Sequence, residues 1–169
     1  MSDFDDYQEL EASQFSERAY FGNRRYDWQT PPEIFNPLHE EFEFTLDAAA
    51  TAENTMLPRF WTEEENGLKQ SWEGERLWIN PPYGKIGIQF IMKAHTREAE
   101  LSVLLLPVRS DTKVWHECIL HGEADEIRFL RGRVQFVGAK YPSPFPSCIV
   151  IYKNTGERKH GRESLCLFD

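Results

Sequence analysis

Four consecutive residues, Asn80-Pro81-Pro82-Tyr83, are the part of this chain best suited to chemistry. Two adjacent prolines fix two φ angles and remove two backbone donors. What remains is a rigid row of acceptors, the Asn80 side-chain oxygen and the Pro81 carbonyl, followed by the aromatic face of Tyr83. Such a row suits an amine whose lone pair is delocalised into an aromatic ring. Gripping its two hydrogens favours a pyramidal nitrogen and frees the lone pair for in-line attack on a sulfonium methyl. Positioning and electrostatics then carry the rate, with no covalent intermediate, and Tyr83 would stack on a base that has left its duplex. The same geometry serves adenine N6, cytosine N4 and a glutamine side chain in protein. A proline-stiffened turn with a buried tyrosine would account for the tetrapeptide without any chemistry.

Other residues offer weaker signals. Asp47 ends an apolar stretch, where a carboxylate can meet a ligand or simply make a turn. Thr30 precedes two prolines and Glu33, so it reads as a helix cap, a ligand contact, or both. Trp28 reads equally as core filler or as a pocket wall. Arg109 follows a buried run, placed for a phosphate with Asp111 bracing it; a capped helix with a surface ion pair explains the same residues. Arg131 and Arg133 flank Gly132 in a turn that could face a nucleic-acid backbone or solvent, and Arg24 and Arg25 could form a basic arm. The five histidines have no metal-ligand spacing, and no metal site is expected. Cys118 and Cys148 sit in apolar surroundings and read as core; no Pro-Cys pair marks a cytosine-C5 enzyme.

These residues need elements to position them. Thr30-Pro31-Pro32-Glu33 reads as a helix start, with Ile34, Phe35, Leu38 and Phe42 recurring at helical spacing. Residues 42–47 alternate like a strand, and Arg59-Phe60-Trp61 reads as a second, short one. Residues 76–79 form a strand that runs directly into Asn80. In open α/β sheets ligands sit beyond the carboxyl ends of strands, which is where a reactive loop belongs. Helices are expected over 86–97 and 112–120, with a fully buried strand over 101–106. Residues 126–130 and 133–137 read as two strands around Arg131-Gly132, and 147–152 as the last strand. The alternation implies an α/β fold, a mainly parallel twisted sheet with an antiparallel strand near the C-terminus. Residues 1–22 read as an acidic flexible arm and 23–169 as a single domain.

The chain has 169 residues and a formal net charge of −9, with 19 Lys and Arg against 28 Asp and Glu. Residues 1–17 carry six of those acids and no Lys or Arg, which leaves 22 acids to 19 bases in the remainder. The total therefore neither supports nor excludes a nucleic-acid partner. No apolar run is long enough to span a membrane, and the polar N-terminus is not a signal peptide. Three cysteines without a CxxC pair fit a reducing cytoplasm.

Taken together, several stretches in order resemble the phage-type, Dam-like DNA N6-adenine methyltransferases. They are Asp27-Trp28-Gln29-Thr30-Pro31, residues 42–49, Trp78-Ile79-Asn80-Pro81-Pro82-Tyr83-Gly84, residues 106–112, residues 127–136 and Pro144-Phe145-Pro146-Ser147. The resemblance covers about residues 26–152. It implies a Rossmann-like class I methyltransferase fold using S-adenosylmethionine, acting on adenine N6 of double-stranded DNA by base flipping, in the cytoplasm of a bacterial host if phage-encoded. It also implies a catalytic loop at Asn80, Pro81, Pro82 and Tyr83. The cofactor contacts it implies are Trp28, Thr30, Asp47, Ala48, Asn66 and Leu68, and the DNA contacts Arg24, Arg25, Arg109, Arg131 and Arg133. The sequence departs from the pattern in two places. No glycine follows Asp47, where backbone usually approaches the cofactor, and Asn66 stands where an acid is usual. RNA or protein methylation and a non-catalytic module of this fold are the rival readings. A homodimer would be one way for so small a protein to grip DNA.

Overall fold

The structure, a computed structural model, describes residues 28–156. The acidic arm 1–22, Arg24 and Arg25 lie outside the described residues. Helix α1 (Pro32–Phe42) starts behind Pro31, whose ring sets the φ angle that a first turn requires. Its N-cap is Pro31 without a side-chain cap bond, so Thr30 is not the cap expected from the sequence; Thr30 is instead packed into the interior at 1% exposure. Phe35, Leu38 and Phe42 fall on its buried face, and Glu43 ends it in a left-handed conformation at φ 48°. The strand expected over 42–47 is therefore shorter, because the helix takes Phe42 and the turn takes Glu43. Only β1 (Leu46–Asp47) joins the sheet.

The other strands are β2 (Arg76–Ile79), β3 (Leu101–Pro107), β4 (Glu126–Phe129) and β5 (Ser147–Lys153). Helix α2 (Lys85–His95) joins β2 to β3, and the short α3 (Lys113–Cys118) follows β3. The sheet order is β1-β2-β3-β5-β4. β1, β2 and β3 pair in parallel, and β5 is antiparallel to both β3 and β4. Four strands thus run one way and β5 the other, giving the mainly parallel α/β sheet with a late antiparallel strand. Phe60 adds a single parallel bridge outside β1, much less than a strand.

One expectation fails. Residues 133–136 form no strand, and the hairpin around Gly132 does not exist. β4 pairs instead with β5, whose residues 147–152 are buried throughout and are best paired and covered on both sides. The chain between them leaves the sheet, and Val137 bridges Gln29.

Both faces of the sheet are apolar, so alternate residues feed two clusters. Val103, Leu105, Ile149 and Ile151 meet α1, together with Trp78. Leu77, Ile79, Leu104, Leu106, Val150 and Tyr152 meet α2 and α3. Burial pushes the Cys118 and Cys148 thiols up to about 12, consistent with core residues rather than nucleophiles. Among the described residues, no helix is long and apolar enough to cross a membrane.

At the amino ends of the strands Arg97 ties the β3 entry to β4 and β5. It pairs with Asp125 and donates to the carbonyls of Glu123 (2.7 Å) and Lys153 (2.9 Å). Both charged side chains are largely shielded, at 14% and 12% exposure. Arg97→Ala would remove the cation facing the shielded Asp125 carboxylate and should cost about 3 kcal/mol. The check is a lowered urea midpoint at unchanged slope.

Candidate active site

β2 is apolar and enclosed between β1 and β3, so the chain must leave it at a fixed point. That point is Asn80. The Asn80 Nδ2 donates to the Trp28 carbonyl (3.4 Å), which commits the amide nitrogen and leaves Oδ1 available as an acceptor. Tyr83 is mostly buried, which raises its phenol above the usual value, and its hydroxyl meets Ser143 Oγ at 3.4 Å. Gly84 then turns the chain at φ 85° into α2. One turn on, a Cβ at Gly87 would lie 2.5 Å from the Pro82 carbonyl, so the loop rests directly on the helix backbone. A cleft of about 590 Å³, counting its open mouth, lies beside the loop. Pro81, Pro82, Tyr83, Leu106, Arg109 and Phe145 contribute to its lining, with Trp115 and Ile91 deeper on the helix side.

The second half of the site is the turn after β1. In the parallel register Asp47 pairs with Trp78, two residues before Asn80. Asp47 is 2% exposed. Its Oδ2 accepts the Met56 N–H (3.1 Å), whereas Oδ1 is one of two buried side-chain atoms among the described residues with no partner, the other being Trp78 Nε1. Burial pushes its carboxyl up to about 6, against the pull of the Met56 and Ala49 N–H groups. Beside this turn, backbone packs closely against backbone at Gly67. A Cβ at Gly67 would lie 2.3 Å from the Ala48 carbonyl, and Trp72 Nε1 holds the Gly67 carbonyl at 2.8 Å.

The chain matches the family described as DNA N-6-adenine-methyltransferase (Dam) over residues 21–159. The chain belongs to the Dam family. Two phage proteins named DNA N-6-adenine-methyltransferase are similar to it. One, from Haemophilus phage HP1 (strain HP1c1), is 30% identical over 115 residues, covering 65% of each chain. The other, from Escherichia phage T1, is 30% identical over 152 residues, covering 75% of this chain and 62% of its own. The chain thus spans less than two thirds of the length of these curated relatives.

In this Dam-family chain Asn80, Pro81, Pro82 and Tyr83 form one loop, with Trp28 bonded to it through its main chain. The Trp28 ring also lies 3.4 Å from where a Cβ would stand on Gly138, so the residue packs against the 130–146 loop while its carbonyl orients Asn80. Asp47 and Ala48 sit together on the neighbouring strand end. Asn66 is a turn residue at φ 53°, its Oδ1 taken by the Leu68 N–H (3.2 Å), and the Leu68 carbonyl accepts from Lys93. Arg109 lines the cleft, lies over the Phe145 ring and reaches Asp111 at 3.3 Å. Arg131 is exposed, while Arg133 donates to the carbonyls of Ser143 and Pro144. No group of His, Cys, Asp and Glu among the described residues could hold a metal ion. Sequence reasoning missed Ser143, Gly67 and Gly87. Their roles depend on contacts 60, 19 and 5 residues away, and only Gly87, close behind the double proline, left a local trace.

Two outcomes follow from this geometry. Asp47 has a folded value raised from 3.8 to about 6, so its charge opposes folding. The penalty is absent below pH 3.8, grows as the unfolded chain ionises first, and is complete above about pH 6, at about 3 kcal/mol. The stability of wild type relative to Asp47→Asn should therefore fall between pH 4 and 6 in parallel denaturant titrations. Gly87→Ala should push the Pro82 carbonyl and abolish catalysis-competent loop geometry while lowering stability by about 1–3 kcal/mol; comparing Tm with turnover measures both.

Proposed function

We propose that this chain methylates the N6 amine of adenine in duplex DNA, with S-adenosylmethionine as donor. The observation that carries the reading is the Asn80 hydrogen bond to the Trp28 carbonyl, which commits the amide nitrogen and leaves Oδ1 to accept, next in the chain to the Pro81 carbonyl. Two acceptors at the end of one rigid strand match the two hydrogens of an exocyclic amine. Tyr83 and Phe145 line the adjoining cleft, where a base extruded from the duplex would be held against aromatic faces. Membership in the Dam family and the names of both phage relatives point to the same base.

The residues around Asp47 fit the cofactor. A buried carboxylate oxygen without a partner is costly unless a ligand's cationic or hydrogen-bonding group completes it. Gly67 lets the backbone pack directly on the Ala48 carbonyl, which fixes the turn that follows Asp47. Asp47, Ala48, Thr30 and Trp28 would hold the methionine end, with Asn66 and Leu68 further along. When bound, S-adenosylmethionine supplies an electrophilic methyl on sulfur. Asn80 Oδ1 and the Pro81 carbonyl hold the amine hydrogens and orient the nitrogen lone pair. The nitrogen would gain the methyl while sulfur kept the electron pair of the broken S–C bond and left as a neutral thioether; the same two oxygens would stabilise the cationic amine and accept its N–H hydrogen bonds until one proton left to water. Tyr83, fixed by Ser143, keeps the ring plane in place.

The sheet order and the late antiparallel strand support a Rossmann-like class I architecture within a single domain over 23–169. Arg109 and Arg131 would meet phosphates, with Arg24 and Arg25 as a basic arm. The test is transfer of labelled methyl from S-adenosylmethionine to unmethylated duplex DNA, followed by nucleoside separation. N6-methyladenine is expected with wild type, and a loss of about 100-fold or more with Asn80→Ala. N4-methylcytosine would move the reading to the other base, and transfer to RNA or protein alone would overturn it.

A further inference from the structure

The charge and the exposed apolar surface of this molecule are both sorted by the ends of the sheet. Glu43, Glu75, Glu100 and Asp125 stand just before the four parallel strands, at their amino ends. The cations there are consumed locally: Arg59 pairs with Glu75, Arg76 with Glu100, Arg97 with Asp125, and Arg128 with Glu41 and Glu126. At the carboxyl ends the pattern reverses toward the β4 edge. Residues 127–156 contain no Asp or Glu, and the loop 130–146 carries Arg131, Arg133 and Lys140. Arg131 and Lys140 are exposed and have no acidic partner among the described residues. Acidic residues of the segment after β1, Glu53 and Glu63 to Glu65, lie beyond the opposite edge strand.

The apolar surface follows the same division. Every large hydrophobic side chain that is exposed among the described residues lies at the carboxyl end. Ile86 follows the catalytic loop, Phe129 ends β4, and Val137 and Tyr141 belong to the 130–146 loop. Phe129 is 66% and Tyr141 61% exposed, and Lys140 Nζ lies 5.3 Å from the Tyr141 ring. The loop is also tied to the reactive centre. Ser143 meets Tyr83, Phe145 lines the cleft, and Val137 bridges the segment whose Trp28 carbonyl orients Asn80.

Resting on the reading of this chain as a DNA methyltransferase, we propose that loop 130–146 is its duplex-contacting element, with Arg131 and Lys140 on phosphates and Tyr141 against a base at the target. Arg133 is a positioning residue, because its guanidinium holds the Ser143 and Pro144 carbonyls and so fixes the loop against Tyr83. Unpaired cations and exposed aromatic faces without any acid are what a polyanion with stackable bases requires. A net charge of −9 is compatible with this, since no acid lies in residues 127–156 and six of the acids are in residues 1–17. The same polarity sets the orientation of docking, with the strands' carboxyl ends toward DNA.

The experiment uses the full chain with unmethylated duplex DNA of mixed sequence, measuring DNA affinity across a salt series, methyl transfer and S-adenosylmethionine binding. Arg131→Ala combined with Lys140→Ala should weaken DNA binding about tenfold and flatten the salt slope by roughly two. Tyr141→Ala should raise KM for DNA or lower kcat/KM about tenfold with little change in salt slope. Lys153→Ala, at the opposite end of the sheet, should leave all three readouts as in wild type. S-adenosylmethionine binding and Tm should be unchanged in every variant, which separates loss of contact from loss of fold. Wild-type transfer to adenine with variants that keep the wild-type affinity and slope would overturn the loop's role alone. A Lys153 effect as large as that of the double variant would overturn it too. A wild type that binds no DNA would overturn both this assignment and the methyltransferase reading, whereas binding without transfer would sink only the latter.

Discussion

The site depends on a parallel ladder only two residues long. Leu46 pairs with Leu77 and Asp47 with Trp78, and the Ala48 N–H closes the pairing on the Trp78 carbonyl at 2.9 Å. Because both strands run the same way, both reach their carboxyl ends together. The last polar residue of β1, Asp47, therefore lies beside the strand that delivers Asn80 two residues on. A slip of one residue would exchange the faces of β1 and turn Asp47 away from its present surroundings. The register is held by apolar burial on both sides, with Leu46 and Leu77 on the α2 side and Trp78 on the α1 side. A fixed core thus sets the separation of the two groups on which the proposed site rests.

The same arrangement opposes stability. Asp47 is enclosed with one oxygen unpaired, and burial disfavours its charge. Gly67 is pressed against Ala48, and Gly87 against Pro82, at distances no Cβ could occupy. These are tight backbone contacts at both loops that flank the site, whereas the rest of the core is filled by large apolar side chains such as Trp72, Trp115 and Tyr152. A well-packed body offsets the penalty of an incompletely satisfied acid, which is a common distribution of stability around functional sites. The strain-free parts hold the demanding parts in place.

The sheet also separates chemistry from charge. Acids precede the parallel strands, and Glu75, Glu100 and Asp125 are neutralised in local ion pairs; cations without acidic partners, and exposed apolar residues, gather in the long connection between β4 and β5. That connection exists because β5 inserts between β3 and β4, so the chain must travel from the edge of the sheet back to its interior. The detour carries it past Gln29 and Tyr83. Topology, rather than sequence proximity, brings residues 137–145 to a loop formed at residue 80.

Much of this was legible in the residues. A double proline behind Asn80 determines by itself a rigid, donor-poor loop, since ring closure acts on the backbone locally. The continuous apolar runs at 101–106 and 147–152 determined two buried strands, and the helical recurrence of Phe35, Leu38 and Phe42 determined α1. Other features required the tertiary structure. Whether residues 133–137 pair as a strand depends on what else competes for β4, and β5 wins because its pairing buries a fully apolar segment. Thr30 is interior rather than a cap because Pro31 already shapes the helix start. Which atom of the Asn80 amide is free, which glycine packs on the turn after Asp47, and which arginine holds a loop rather than meets solvent are all set by partners far away in sequence. Local covalent geometry and periodicity act within a few residues and can be read directly. Hydrogen-bond partners and close approaches arise only when distant segments are packed against one another, and that packing is what the fold alone decides.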